Sequence, residues 1–160
     1  MSWDTQLLKA TIIVVTFFPN KNLSEIKMKY YNHSVGSNMK HIQLTTKYRY
    51  KMMKKELMRT YCRIAIEEAC KRYKIELIVL EVLEEHSHMM VDLPRTLSDA
   101  KTMQLLKGFT SYLLFRLVPD FRKRYPKRHF WSEGYFCEGV GFKEFNEVFD
   151  YVKNQWKHHH

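Results

Sequence analysis

Two histidines separated by one residue, His86 and His88, stand mid-chain between an acidic pair, Glu84-Glu85, and the apolar run Met89-Met90-Val91. On a strand, side chains alternate faces with period two, so both imidazoles point the same way. Side by side they make half a site for a divalent cation, and two ligands alone do not complete one. Near the other end Tyr151 and Gln155 share one face, a turn apart, if their segment is helical. Cations and aromatics interleave in Thr46-Lys47-Tyr48-Arg49-Tyr50-Lys51, a mixture suited to phosphate contacts and base stacking. Arg122-Lys123-Arg124-Tyr125-Pro126-Lys127-Arg128 carries five cations in seven residues and reads as a loop facing phosphates. For both basic segments a plain solvated loop is the competing reading.

A chain of 160 residues with 45% apolar and 14% aromatic residues is long enough for one domain with its own core and is not a disordered segment. A formal net charge of +10 points to a polyanionic partner, nucleic acid or acidic lipid. No run reaches the roughly 20 apolar residues of a membrane-spanning helix, and the β-prone Thr11–Phe18 lacks the basic start and cleavage site of a leader, so the expected compartment is the cytoplasm. Cys62 and Cys70 fall on one expected helix about 12 Å apart, beyond disulfide reach, and together with Cys137 they read as reduced thiols. No zinc-type cysteine spacing is present.

These residues need elements to position them. Residues 1–38 are set apart as an N-terminal extension, with Thr11–Phe18 as a candidate added edge strand. His41 to Thr45 alternates as a strand. Helical spacing of Leu57, Met58, Tyr61, Cys62, Ala65, Ile66, Ala69 and Tyr73 predicts an amphipathic helix over 52–73. Ile75 to Leu83 and the segment carrying His86 and His88 predict a hairpin turning at Glu84-Glu85. Thr96-Leu97-Ser98-Asp99 resembles a capping box that opens a helix running to Leu117 and stopped by Pro119. A last strand is expected over roughly 130–140 and a final helix over 143–156. His158-His159-His160 is compatible with a purification-tag remnant and is kept out of the metal argument.

The order β-α-β-β-α-β-α predicts an α+β fold: the ferredoxin-like, RRM-like split βαβ arrangement, an antiparallel sheet with two helices on one face, plus a C-terminal helix carrying Tyr151. The histidine pair is expected on the other, open face. Ser87 then points into the helix-covered face, where its hydroxyl needs a hydrogen bond.

Thr46-Lys47-Tyr48-Arg49, Glu85-His86-Ser87-His88, Leu106-Lys107-Gly108, Phe130-Trp131-Ser132-Glu133-Gly134-Tyr135-Phe136, Gly139-Val140-Gly141 and Tyr151-Val152-Lys153-Asn154-Gln155 occur in this order and at these spacings. Taken together they resemble the IS200/IS605-type single-tyrosine transposases, members of the HUH endonucleases, over about residues 39–157. The departures are Ser87, where that family has an apolar residue, and Glu85, where aspartate is usual. The resemblance implies a metal-dependent enzyme that cuts and rejoins single-stranded DNA at hairpin-bearing ends through a 5′-phosphotyrosine. It implies Tyr151 as nucleophile, His86, His88 and Gln155 as ligands of Mg²⁺ or Mn²⁺, and a homodimer in which one subunit's tyrosine helix completes the other's site. Lys47, Tyr48, Arg49, Lys107, Arg122, Lys123, Arg124, Lys127 and Arg128 are the expected DNA contacts. The alternatives are a non-catalytic nucleic-acid-binding module on the same fold, or a related tyrosine enzyme acting on repeated palindromic elements.

Overall fold

The structure, a computed structural model, describes residues 38–159. The expectations for the N-terminal extension and Thr11–Phe18 lie outside the described residues, Asn38 apart. Strand β1, Met39–Thr45, sends Ile42 and Leu44 into the core and turns His41, Gln43 and Thr45 to the opposite face. Helix α1, Glu56–Arg72, buries Cys62, Ala65, Ile66, Ala69 and Cys70 on one stripe. Leu57, expected on that stripe, sits in the helix's first turn and is exposed. Burial pushes the Cys62 and Cys70 thiols up to about 12, so both are inert apolar fillers.

Strands β2, Glu76–Val82, and β3, His86–Asp92, form the expected hairpin. Helix α2, Asp99–Leu117, is capped by Ser98, whose Oγ accepts from Lys101 N at 3.2 Å, so the cap falls two residues beyond Thr96. Its core face is Thr102, Met103, Leu106, Thr110, Leu114 and Phe115. The basic segment after Pro119 holds a one-turn helix, α3, Phe121–Arg124, pinned by the buried rings of Phe121 and Tyr125.

The last strand, β4, covers only Phe136–Gly139. Trp131 still bridges Thr46, and Ser132 N donates to Thr45 O at 2.8 Å, so the chain leaves the ladder only over 132–135; Phe130 and Trp131 bury their rings, with Trp131 Nε1 donating to Thr110 Oγ1 at 2.7 Å. The intervening loop is held by one cation. Lys107 Nζ donates to the carbonyls of Ser132, Glu133 and Gly134 at 2.8, 2.9 and 3.0 Å. An ammonium has three protons, and all three are spent here.

Four antiparallel strands lie in the order β2-β3-β1-β4, the expected split βαβ sheet. Helices α1 and α2 pack together over one face, with Ile42, Leu44, Val82, Met89 and Val91 beneath them. The other face is not open. Helix α4, Phe145–Lys153, lies on β2 and β3 of that face with Phe145, Phe149 and Val152 buried. A short 3₁₀ turn over Phe142–Glu144 precedes it, and the expected continuous final helix breaks at Asn154 into α4 and α5, Gln155–His159. Among the described residues no helix is long and apolar enough to cross a membrane.

Ser87 lies where the alternation sends it, on the helix-covered face, fully buried, and its Oγ has no hydrogen-bond partner among the described residues. An orphaned buried hydroxyl costs about 1–3 kcal/mol. Ser87→Ala is expected to raise the unfolding free energy by about 1 kcal/mol or more in urea titrations, and a loss of stability would show that the hydroxyl is satisfied. Lys107→Met removes three charge-assisted bonds, and the expected result is a lower melting temperature with faster cleavage by a Glu-specific protease after Glu133. Unchanged proteolysis would sink the clamp assignment.

Candidate active site

The sheet builds the site. Because β3 is central and pairs with β1, His86 and His88 share a face with Thr45 and Gln43, their register partners, and with His41 diagonally across. Both histidines are almost wholly buried, at 4% and 3% exposure. Their rings lie edge to face with centroids 5.0 Å apart. His86 Nδ1 is 3.0 Å from Glu85 Oε1. A carboxylate only accepts, so Nδ1 donates and the imidazole is fixed in that tautomer. Glu85 thus orients the His86 ring.

His88 Nδ1 meets His41 Nε2 at 3.1 Å, and the two rings stack at 5.4 Å. Sequence reasoning missed His41. Its signal was present in the alternation of His41, Gln43 and Thr45, but it becomes visible only once β1 is known to lie beside β3. Burial pushes the His41 imidazole below its ordinary value, while Glu138, its register partner on β4, opposes the shift.

Tyr151, on α4, places its ring edge-on to both His41 and His88, 5.8 Å from each, and is 47% exposed. The nucleophile expected from the sequence therefore stands at the rim of the buried histidine cluster, on its own chain. Gln155 follows across the break at Asn154. Its Nε2 donates to Tyr151 O at 2.9 Å, while its Oε1 is buried with no hydrogen-bond partner among the described residues. The next residue, Trp156, hydrogen-bonds Glu81, the cross-strand neighbour of His88, which ties this segment to the same face. Burial raises the Glu81 carboxyl, and Arg63 at 3.4 Å counters it.

The donor set fits a divalent cation: two imidazoles with an ordered partner on one nitrogen, and a buried amide oxygen that lacks a donor. Among the described residues no three His, Cys, Asp or Glu side chains are gathered so as to hold a metal ion.

The basic residues divide into two groups. Lys47, Tyr48 and Arg49 form a 3₁₀ turn in which Tyr48 and Arg49 adopt left-handed φ of 61° and 53°. Non-glycine residues in that region cost about 1–3 kcal/mol each, and they persist only where surrounding bonds hold them. Here Thr46 Oγ1 donates to Tyr50 O and Tyr125 Oη donates to Lys47 O, both at 2.7 Å. The outcome is a presented ring, with Tyr48 66% exposed. Tyr48, Tyr50 and Tyr125 form a ladder of rings with Arg124 over Tyr50 at 5.1 Å.

Arg122 and Arg128 instead line a cleft of about 730 Å³ along α2, shared with Tyr112, Arg116 and His129. Lys123 pairs with Asp120 at 3.0 Å, and Lys127 is exposed. Lys107 also borders this cleft, but its ammonium protons are those committed to the loop carbonyls. The cleft is on the helical side of the sheet, opposite the histidine pair.

Comparison with known proteins bears on this arrangement. The family model described as "Transposase IS200 like" matches residues 34–155. A transposase for insertion sequence element IS200 from Salmonella typhimurium is 30% identical over 115 residues, which are 72% of this chain and 74% of that protein. The IS200 transposase of Salmonella typhi matches equally. Among solved structures, a candidate transposase from Deinococcus radiodurans R1 superposes with a TM-score of 0.61 at 20% identity, covering 76% of this chain and 92% of that one. A REP-associated tyrosine transposase bound to a REP hairpin gives a TM-score of 0.56 at 14% identity, covering 76% and 68%. Those two structures share the sheet and helices described above, and the match of sequence over most of the chain identifies it as a member of the IS200-like transposase family.

Proposed function

We propose that this chain cuts and rejoins single-stranded DNA at hairpin-bearing ends, with Tyr151 as nucleophile. One observation carries the reading: the phenol of Tyr151, 47% exposed, stands against His88 at the mouth of a buried histidine pair, with Gln155 Oε1, which has no hydrogen-bond partner among the described residues, following four positions on. A phenol with an ordinary pKa of about 10 is a weak nucleophile at neutral pH, and a cation beside it offsets that weakness. His86, His88 and Gln155 would hold Mg²⁺ or Mn²⁺, and such an ion supplies neutralisation of the phosphate and of the departing oxygen. All three donors are neutral, so they leave the ion its full charge.

Tyr151 Oη attacks a backbone phosphorus and its proton is released. The bond from phosphorus to the 3′ oxygen breaks, that oxygen takes a proton, and the 5′ phosphate remains on the tyrosine. Attack by a second 3′-hydroxyl reverses the step and joins the strands. The phosphodiester energy is conserved in the tyrosyl ester, so no nucleotide cofactor enters.

Hairpin-bearing single-stranded DNA is the partner this reading gives to the basic surface. Lys47, Tyr48 and Arg49 with Arg124 supply a stacking ladder and cations, and Arg122, Lys123, Lys127 and Arg128 supply phosphate contacts. Lys107 serves it by ordering the loop at Ser132–Gly134. Helix α4 lies on its own sheet, and its exchange between two subunits of a homodimer would complete the same site in trans.

The test is a covalent protein–DNA adduct that survives denaturation, formed from a hairpin oligonucleotide with Mn²⁺ or Mg²⁺. Wild type should form it, and Tyr151→Phe and His88→Ala should not. An adduct from Tyr151→Phe equal to wild type would remove Tyr151 from the mechanism, and DNA binding without any adduct would favour a binding module. Arg122→Ala with Arg128→Ala should weaken hairpin binding and reduce the slope of log affinity against log salt by about 0.7–0.9 per lost contact. An unchanged slope would place the DNA elsewhere.

A further inference from the structure

We propose that His41 is a positioning residue whose Nε2 fixes the tautomer of His88 and so aims His88 Nε2 at the cation. The inference rests on the metal reading above. With no cation between them, two imidazole nitrogens at 3.1 Å hold together when one carries a proton and the other does not, so one donates and the other accepts. A His88 that gives Nε2 to a cation has its proton on Nδ1. His41 Nε2 is then the acceptor, and the proton of His41 sits on its own Nδ1.

The arrangement repeats on the neighbouring histidine, where Glu85 Oε1 takes the Nδ1 proton of His86 at 3.0 Å. Each member of the pair therefore has its Nδ1 committed to a dedicated acceptor, a carboxylate in one case and an imidazole in the other. Such outer partners orient ligating histidines and raise their basicity.

His41 is itself held. It is on β1 between β3 and β4, with Phe136 edge-on at 5.2 Å, Tyr151 edge-on at 5.8 Å and Glu138 across the strand pair. A role as third ligand does not fit, because its Nε2 is directed at His88 Nδ1 and the three histidines are not gathered at ligand spacing.

The experiment uses the full chain without DNA. Free Mn²⁺ is followed by electron paramagnetic resonance in wild type, His41→Phe, which keeps a ring but has no acceptor, and His41→Gln, which restores an acceptor oxygen. The expected result is Mn²⁺ binding weakened about 10- to 100-fold in His41→Phe and largely recovered in His41→Gln. Binding equal to wild type in His41→Phe, or equally poor in both variants, would overturn the proposal. A long-range ¹H–¹⁵N spectrum of metal-free wild type decides the matter without any variant: protonated Nδ1 on His88 supports it, and protonated Nε2 refutes it. If wild type binds no Mn²⁺ at all, it is the metal reading that fails, an outcome distinct from wild type and His41→Phe binding alike.

Discussion

Everything in this molecule hangs on the register between its two central strands. With Thr45 opposite His86 and Gln43 opposite His88, the period of two sends the histidines to one face and Ser87, Met89 and Val91 to the other. A slip of one residue would bury both imidazoles among the α1 and α2 side chains and turn Ser87 towards Tyr151. The register is secured on both sides, because Ile42 and Leu44 must stay under the helices while Phe145, Phe149 and Val152 need the opposite face to cover. Thr46 adds a fixed point at the strand end, its N–H donating to Glu85 O at 2.8 Å.

The parts of the site legible in the sequence are those whose spacing encodes geometry. Two histidines with one residue between them share a strand face, and Tyr151 and Gln155 sit a turn apart whether or not the helix is continuous. The alternation of β1 and the helical stripe of α1 likewise revealed the order of elements, and hence the sheet. What stayed hidden depends on contacts distant in the chain. His41 acquires a role only through a strand neighbour 47 positions away. Lys107 looked like a free cation because nothing local shows that three carbonyls beyond residue 130 converge on it. The late start of β4 has the same origin, since the chain leaves the ladder at Ser132–Gly134, where Lys107 gathers its carbonyls.

The second face of the sheet shows how composition misleads about exposure. A strand that carries histidines reads as half-polar, yet all but the last residue of β3 is buried, since α4 covers the polar half. Burial of two imidazoles is tolerable because each has an acceptor for its Nδ1 proton, so no polar hydrogen is stranded there. On β3 the buried side-chain oxygen without a hydrogen-bond partner among the described residues is that of Ser87, and it faces the helices.

The interruption at Asn154 changes what kind of mechanical object the C-terminal segment is. In an unbroken helix, Tyr151 and Gln155 would travel as one rigid rod. Here Asn154 N–H and Nδ2 both fold back onto Asp150 O, the rod ends, and the Gln155 side-chain bond to Tyr151 O spans the break. Gln155 is thus held from two directions, by its own bond to Tyr151 O and by the hydrogen bond of its neighbour Trp156 to Glu81 on β2. Such a joint takes its angle from the strand beneath it, where an unbroken helix would take it from its own hydrogen-bond ladder.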